Sequence, residues 1–269
     1  MTPTYIGPPQ RRLFVITNPP QSGCEAAVLL CPPLGHEMVR AHRLLRVLAE
    51  RLARNGALVL RFDPYGAGDS MGADEELDLE GWAQDLLTAH AHLAALANTT
   101  RIVWMGLRLG ATVCAMAAER AVPAPRRLVL CDPVADGARY LDELRSRHVR
   151  MIDSALDVPP NPRALDRART DPLSFHDEAL GSGLSELLRR QLASLDGNQM
   201  IARVPMQAVV ITDPASAAGA RADAQGAQRL RFTPAAESVD WLSDLTEDGT
   251  LLPGRLSAQV MKEINDGGD

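Results

Sequence analysis

The stretch Arg101-Ile-Val-Trp-Met-Gly-Leu-Arg-Leu-Gly-Ala111 decides how this chain is read. A β-branched and aromatic run enters a Gly-x-Arg-x-Gly turn, and an apolar, alanine-rich segment from Ala111 to Arg120 leaves it. This is the strand–turn–helix context in which Gly-x-Ser-x-Gly raises a nucleophilic serine on a tight, strained turn. Gly106 and Gly110 stand where close approach of strand and helix excludes a Cβ. Arg108 stands where the nucleophile would be. A guanidinium stays protonated and offers no lone pair for attack. The stretch therefore points to a fold more directly than to a reaction.

Outward from the turn, short apolar strands alternate with helical patterns, which predicts βαβ units around a mostly parallel sheet. The expected strands are Leu13–Thr17, Ala27–Cys31, Leu58–Phe62, Ile102–Met105, Leu128–Cys131, Ala208–Thr212 and Arg229–Phe232. Helices are expected over Val39–Arg54, Asp78–Ala97, Leu109–Arg120 and Leu256–Ile264. Asn55-Gly56 supplies a stop for the first of these. The prolines near the start (Pro8, Pro9, Pro19, Pro20) suit an edge strand, because proline cannot donate to a ladder. From Asp136 to about Arg203 the alternation breaks, in a stretch rich in Arg, Asp, Leu and Pro.

Composition excludes several functions. The 269 residues fit one large α/β domain or two small ones. A net charge of −6 argues against nucleic acid or an anionic membrane as the main partner. Lys262 is the only lysine, which rules out a Walker-type phosphate loop. Cys24, Cys31, Cys114 and Cys131 lack Cys-x-x-Cys spacing, so neither a zinc site nor any other metal or cofactor is expected. Two of them fall in strand patterns, as buried reduced thiols of a cytoplasmic protein would. No segment reads as a signal peptide or a membrane span.

Several stretches resemble the exosortase-system-associated α/β hydrolases. They are Cys31-Pro-Pro-Leu-Gly-His-Glu-Met38, Arg61-Phe-Asp-Pro-Tyr-Gly-Ala-Gly-Asp-Ser-Met-Gly72, Trp82, and the Trp104–Ala111 turn, with Asp240-Trp241 and Leu252-Pro253 further on. The match runs through residues 5 to 134 and is looser beyond. One branch of that family also has Arg at the turn. The resemblance implies a single α/β-hydrolase domain over residues 1–269, with helices on both faces of the sheet and a helical lid at 136–203. It also implies a setting in bacterial exopolysaccharide and surface-protein sorting.

A serine hydrolase of this fold needs Ser, acid and His in that chain order. Arg108 holds the first position, and Asp213, in Ile211-Thr-Asp-Pro214, holds the second. The histidines are His36, His42, His90, His92, His148 and His176, so none follows the last expected strand. Without that base an ordinary triad is absent. Gly68-Asp-Ser-Met-Gly72 spells Gly-x-Ser-x-Gly, but an acidic run follows it, so it reads as a polar glycine turn. Gly181-Ser-Gly183 reads as a turn in the lid.

A cation at a helix N-terminus faces the positive end of the dipole, so Arg108 needs an anion nearby. Asp213 is the first expected partner and Glu37 the second, with Asp132 also within reach. A ligand carboxylate or phosphate is the other candidate, held by Arg108 and the amides of Leu34 and Leu109. The favoured reading is a binding or accessory protein in a bacterial biosynthetic pathway, taking a small anionic or acyl ligand. The alternative is an acyl or ester hydrolase or transferase with a non-standard site, using Ser70 or Cys31 as nucleophile and His36 as base. A scaffold recruiting a protein partner through the lid is a third class.

Overall fold

The computed structural model describes residues 1–21, 23–155, 178–213, 228–243 and 253–266, without the side chains of 152–155. Eight strands form one sheet: β1 (Thr2–Ile6), β2 (Leu13–Asn18), β3 (Ala26–Cys31), β4 (Ala57–Phe62), β5 (Ile102–Leu107), β6 (Arg127–Cys131), and two more later in the chain. Between β6 and that last pair a small antiparallel hairpin joins β7 (Glu178–Ala179) to β8 (Ser182–Gly183). The last pair is β9 (Gln207–Thr212) and β10 (Leu230–Pro234). The order across the sheet is β1-β2-β4-β3-β5-β6-β9-β10. From β4 to β10 all pairings are parallel, and β1 and β2 join antiparallel at one edge. This is the mostly parallel sheet that the alternation predicts, in the α/β-hydrolase arrangement that the resemblance implies.

The inner strands β3, β4 and β5 are buried along their whole length, so their side chains feed two cores. On one face, Val28, Leu30, Val59, Met105 and Ile211 pack against α1 (Gly35–Arg54) and the C-terminal α7 (Gly254–Asn265). On the other, Leu29, Leu60, Trp104 and Leu128 meet α2 (Leu79–Leu96) and α3 (Leu109–Ala117). Helices on both faces remove the apolar strands from water, which is why those strands read as continuous apolar runs.

The helix expected over Val39–Arg54 begins four residues earlier, at Gly35, because the loop Pro32–Leu34 turns directly into it. The strand framed by the prolines, β2, is not an edge strand: it pairs with β4 on one side and, on the other, with β1, an edge strand that the sequence reading did not expect. Between β6 and β9 stand α4 (Gly137–Ala155), α5 (Glu186–Ala193) and α6 (Gly197–Ala202). Part of the expected lid, residues 156–177 with His176, and also Leu252 lie outside the described residues. The Gln191 side chain accepts from the backbone N–H of Leu79 (2.8 Å), and the backbone N–H of Gly197 reaches the carbonyl of Ala135 (2.9 Å). These bonds anchor α5 and α6 to the main body.

Candidate functional site

Arg108 stands alone between β5 and α3, with φ 53° and ψ −124°. A positive φ is uncommon for a residue carrying a Cβ, and such strain persists only where the surroundings enforce it. Here the Arg108 N–H donates to the Cys131 carbonyl on the next strand (2.9 Å). The neighbours leave no room for larger residues. A Cβ on Gly106 would lie 2.5 Å from the Ala111 Cα, and one on Gly110 would lie 2.0 Å from the Pro32 carbonyl oxygen. Both glycines are thus required by packing, as their places in the motif suggest.

The Arg108 side chain is only 12 % exposed, and three carboxylates meet it. Its Nε donates to Glu37 Oε1 at 2.8 Å, one Nη to Asp132 Oδ2 at 3.3 Å, and the other Nη lies 3.6 Å from Glu143 Oε2. Glu37, in the first turn of α1, is completely buried. Its second oxygen accepts from the Tyr140 hydroxyl at 2.9 Å. The guanidinium carbon also sits 5.6 Å from the centre of the Tyr140 ring, within cation–π range. Asp132 accepts from Trp241 Nε1 (2.9 Å) and from the Thr212 hydroxyl (3.2 Å). Asp132 too has a positive φ, 47°, as the chain turns off β6.

Charge and burial oppose each other in this cluster. Burial by itself lowers the Arg108 pKa, but the carboxylates of Glu37 and Asp132 outweigh it and hold the guanidinium above its ordinary value. Burial pushes the Glu37 carboxyl up, against the pull of Arg108 and Tyr140. The Tyr140 hydroxyl is raised first by burial and then by the Glu37 charge. The elbow is thus filled by a protonated arginine with an internal set of acceptors.

Sequence reasoning ranks Asp213 as the first partner of Arg108. The ion pairs run instead to Glu37, the second choice, and to Asp132 and Glu143. Asp213 is exposed, one residue past the end of β9, and lines the cleft beside the cluster. The reason is geometric: α1 starts directly beside the elbow and brings Glu37 under it, whereas β9 ends one strand further out. The cleft of about 360 Å³ is bordered by Arg108, Asp132, Tyr140, Glu143, Asp213 and Trp241. Tyr140 and Glu143 were missed from the sequence. Their i, i+3 spacing places them on one face of α4, but nothing local says which face meets the elbow.

The other residues singled out fall as follows. Leu109 is buried at the start of α3, and Leu34 precedes α1. Ser70 is committed to structure: its hydroxyl donates to the Asp63 carbonyl (2.6 Å) and accepts from the Phe14 N–H (2.8 Å). Cys31 is fully buried, and burial, with Cys114 beside it, raises its thiol well above the ordinary range. The His36 ring nitrogen Nε2 meets the Ser243 carbonyl at 3.3 Å. No group of metal-ligating side chains forms among the described residues. None of the described helices is long and apolar enough to cross a membrane.

A second, larger cavity of about 790 Å³ lies on the α1 side of the sheet, beside Leu34 and the Gly66–Gly72 loop. It is bordered by Phe14, Ile16, Met38 and Val39, with His42 and Arg61 among its polar residues.

Comparison with known proteins agrees with this architecture. The family model described as serine aminopeptidase, S33, matches residues 24–210. The curated proteins contain no match. Among solved structures, Est1E from Butyrivibrio proteoclasticus, with ferulic acid bound, superposes with a TM-score of 0.62 at 14 % identity, covering 98 % of this chain and 96 % of the other. The proline iminopeptidase of Mycobacterium smegmatis gives 0.61 at 15 % identity, with 99 % of each chain covered. The enol-lactonase of Burkholderia xenovorans LB400 gives 0.60 at 17 % identity, over 98 % of this chain and 99 % of that one.

Proposed function

The chain belongs to the serine aminopeptidase S33 family of α/β hydrolases, and from that premise we propose that it is a member that binds rather than hydrolyses. One observation carries this reading: the nucleophile position holds Arg108, whose charge is taken up by Glu37 and Asp132 within the fold. A serine hydrolase transfers its nucleophile's proton to a histidine. Here the position has no lone pair with which to attack, and no histidine follows residue 176.

The resemblance to exosortase-system-associated hydrolases assigns the binding role to a bacterial exopolysaccharide-type pathway in the cytoplasm. The helices between β6 and β9 serve as its lid and offer the surface for a protein partner. A small anionic or acyl ligand is the matching ligand class.

The reading in which Ser70 or Cys31 attacks with His36 as base has no support in the geometry. Ser70 is held by two backbone groups, and the Cys31 thiol is buried and protonated. The deciding experiment is labelling with a fluorophosphonate probe alongside hydrolysis of p-nitrophenyl esters. Wild type and Arg108→Ser both stay at background, because the base is missing in each. Robust turnover by the wild type that Ser70→Ala or Cys31→Ala abolishes would overturn the proposal.

A further inference from the structure

The cavity on the α1 side contains a cation that the elbow does not use. Arg61 lies in the interior strand β4, paired with Ile16 of β2 and Leu30 of β3. Strand alternation puts it on the face of Val59, towards α1. The residue is only 9 % exposed, yet its Nε is buried with no hydrogen-bond partner. An arginine so placed is costly, because a buried charge without matched acceptors loses its hydration. Burial accordingly lowers its pKa, and the nearby Asp63 only partly offsets this. The Asp63 carboxylate is itself engaged, accepting from the Asp69 N–H at 3.0 Å.

The space around Arg61 is shaped for more than an ion. Phe14, Ile16, Met38 and Val39 form an apolar wall between β2 and α1, and Val39 is 60 % exposed. Asp63, Asp69 and Asp74 stand on the other side, with His42 on α1. These carboxylates oppose a ligand of high negative charge, whereas a single negative charge is matched by the Arg61 guanidinium.

We propose that this cavity binds an organic monocarboxylate with an apolar body, its carboxylate on the Arg61 guanidinium and its chain along Phe14, Ile16, Met38 and Val39. An Arg–carboxylate pair is a charge-assisted hydrogen-bonded contact, and a carboxylate at the cavity edge of the guanidinium would offset the charge that burial leaves on Arg61. The proposal deepens the binding-protein reading and rests on it only for its use in the cell.

Octanoate is the probe, with octanol, octylamine, octyl phosphate and inorganic phosphate as comparisons, in titration calorimetry and thermal melts of the full chain. Octanoate is expected to bind and raise the melting temperature, with octyl phosphate weaker and the others without effect. Arg61→Met should weaken octanoate by roughly tenfold to a hundredfold, the loss of a charge-assisted hydrogen bond, while melting no lower than wild type. Should Arg61→Met fail to fold, the wild-type preference for octanoate over octanol carries the test, with Arg61→Lys retaining part of the affinity. Equal binding of octanoate and octanol, equal binding by wild type and Arg61→Met, or tighter binding of octyl phosphate would each overturn the proposal. Hydrolysis of p-nitrophenyl octanoate in the same preparations reads the elbow instead, so turnover would sink the binding-protein reading and leave the Arg61 result standing.

Discussion

At the scale of single residues, Arg108 combines two costs and one compensation. Its backbone is held at positive φ, a strain of roughly 1–3 kcal/mol. Its charge is removed from water at the positive end of α3. Glu37, Asp132 and Glu143 compensate, with Tyr140 and Trp241 fixing the acceptors in place. Removing the cation therefore strands carboxylates. Arg108→Met should lose about 3–5 kcal/mol at slightly alkaline pH, because Glu37 is then a buried charge without its partner. The loss should shrink in acid. Burial already sets the folded-state pKa of Glu37 above its ordinary value near 4.5, and losing Arg108 moves it further in the same direction. A group with a raised folded pKa contributes stability in acid that is lost as pH rises through that pKa. Urea unfolding of wild type and variant at about pH 5 and about pH 8 measures the difference; a deficit equal at both would show that Glu37 does not take up the proton. Glu37 was legible as a candidate partner because it follows a strand whose end lies beside the turn. Its priority over Asp213 was not, since strand ends have no sequence marker for depth.

At the scale of elements, the elbow is a junction in which three segments touch. The first turn of α3 presses on the loop after β3, with Gly110 against the Pro32 carbonyl, while Gly106 faces Ala111. Helix propensity alone makes Gly→Ala favourable by about 1 kcal/mol inside a helix. At Gly110 the sign reverses. An added Cβ would meet backbone at 2.0 Å, which no side-chain rotation relieves. Gly110→Ala should cost about 1–3 kcal/mol or more, the range for overpacking, read from denaturant midpoints. A neutral or stabilising result would mean that α3 moves freely against the β3 loop. The sheet strands other than β1, and the helices α1, α2, α3 and α7, were legible because buried parallel strands read as apolar runs and helices repeat at their own period; β1 was not expected. The early start of α1 at Gly35 was not, because proline and glycine before it mimic a loop.

At the scale of the whole molecule, two cores sandwich the sheet, and one polar device sits within them. His90 on α2 is 1 % exposed. Its Nδ1 accepts from Trp104 Nε1 on β5 (3.0 Å), which leaves Nε2–H to donate to the Pro123 carbonyl (2.7 Å). This arrangement needs the neutral ring, and burial lowers the His90 pKa, partly offset by the bond to Pro123. A depressed folded pKa contributes stability that is present above the unfolded value, near 6.5, and is lost as pH falls towards the folded value. Melting temperature should therefore decline as pH drops below about 6.5, and His90→Gln should flatten that slope while lowering stability overall. An unchanged slope in the variant would assign the acid sensitivity to other groups. The same molecule divides what each level determines. Sequence alone determined the sheet-and-helix alternation, the glycine elbow, the arginine at its tip and the lack of a late histidine, because periodicity, backbone permissiveness and side-chain chemistry are local properties. Tertiary structure decided that Glu37 and Asp132 rather than Asp213 meet Arg108, that Tyr140 closes the cluster from α4, and that the Arg61 Nε is left without a hydrogen-bond partner among the described residues, beside a large cavity. Those outcomes depend on which distant segments the sheet order brings side by side and on how much water they exclude, and neither is encoded at any one position in the chain.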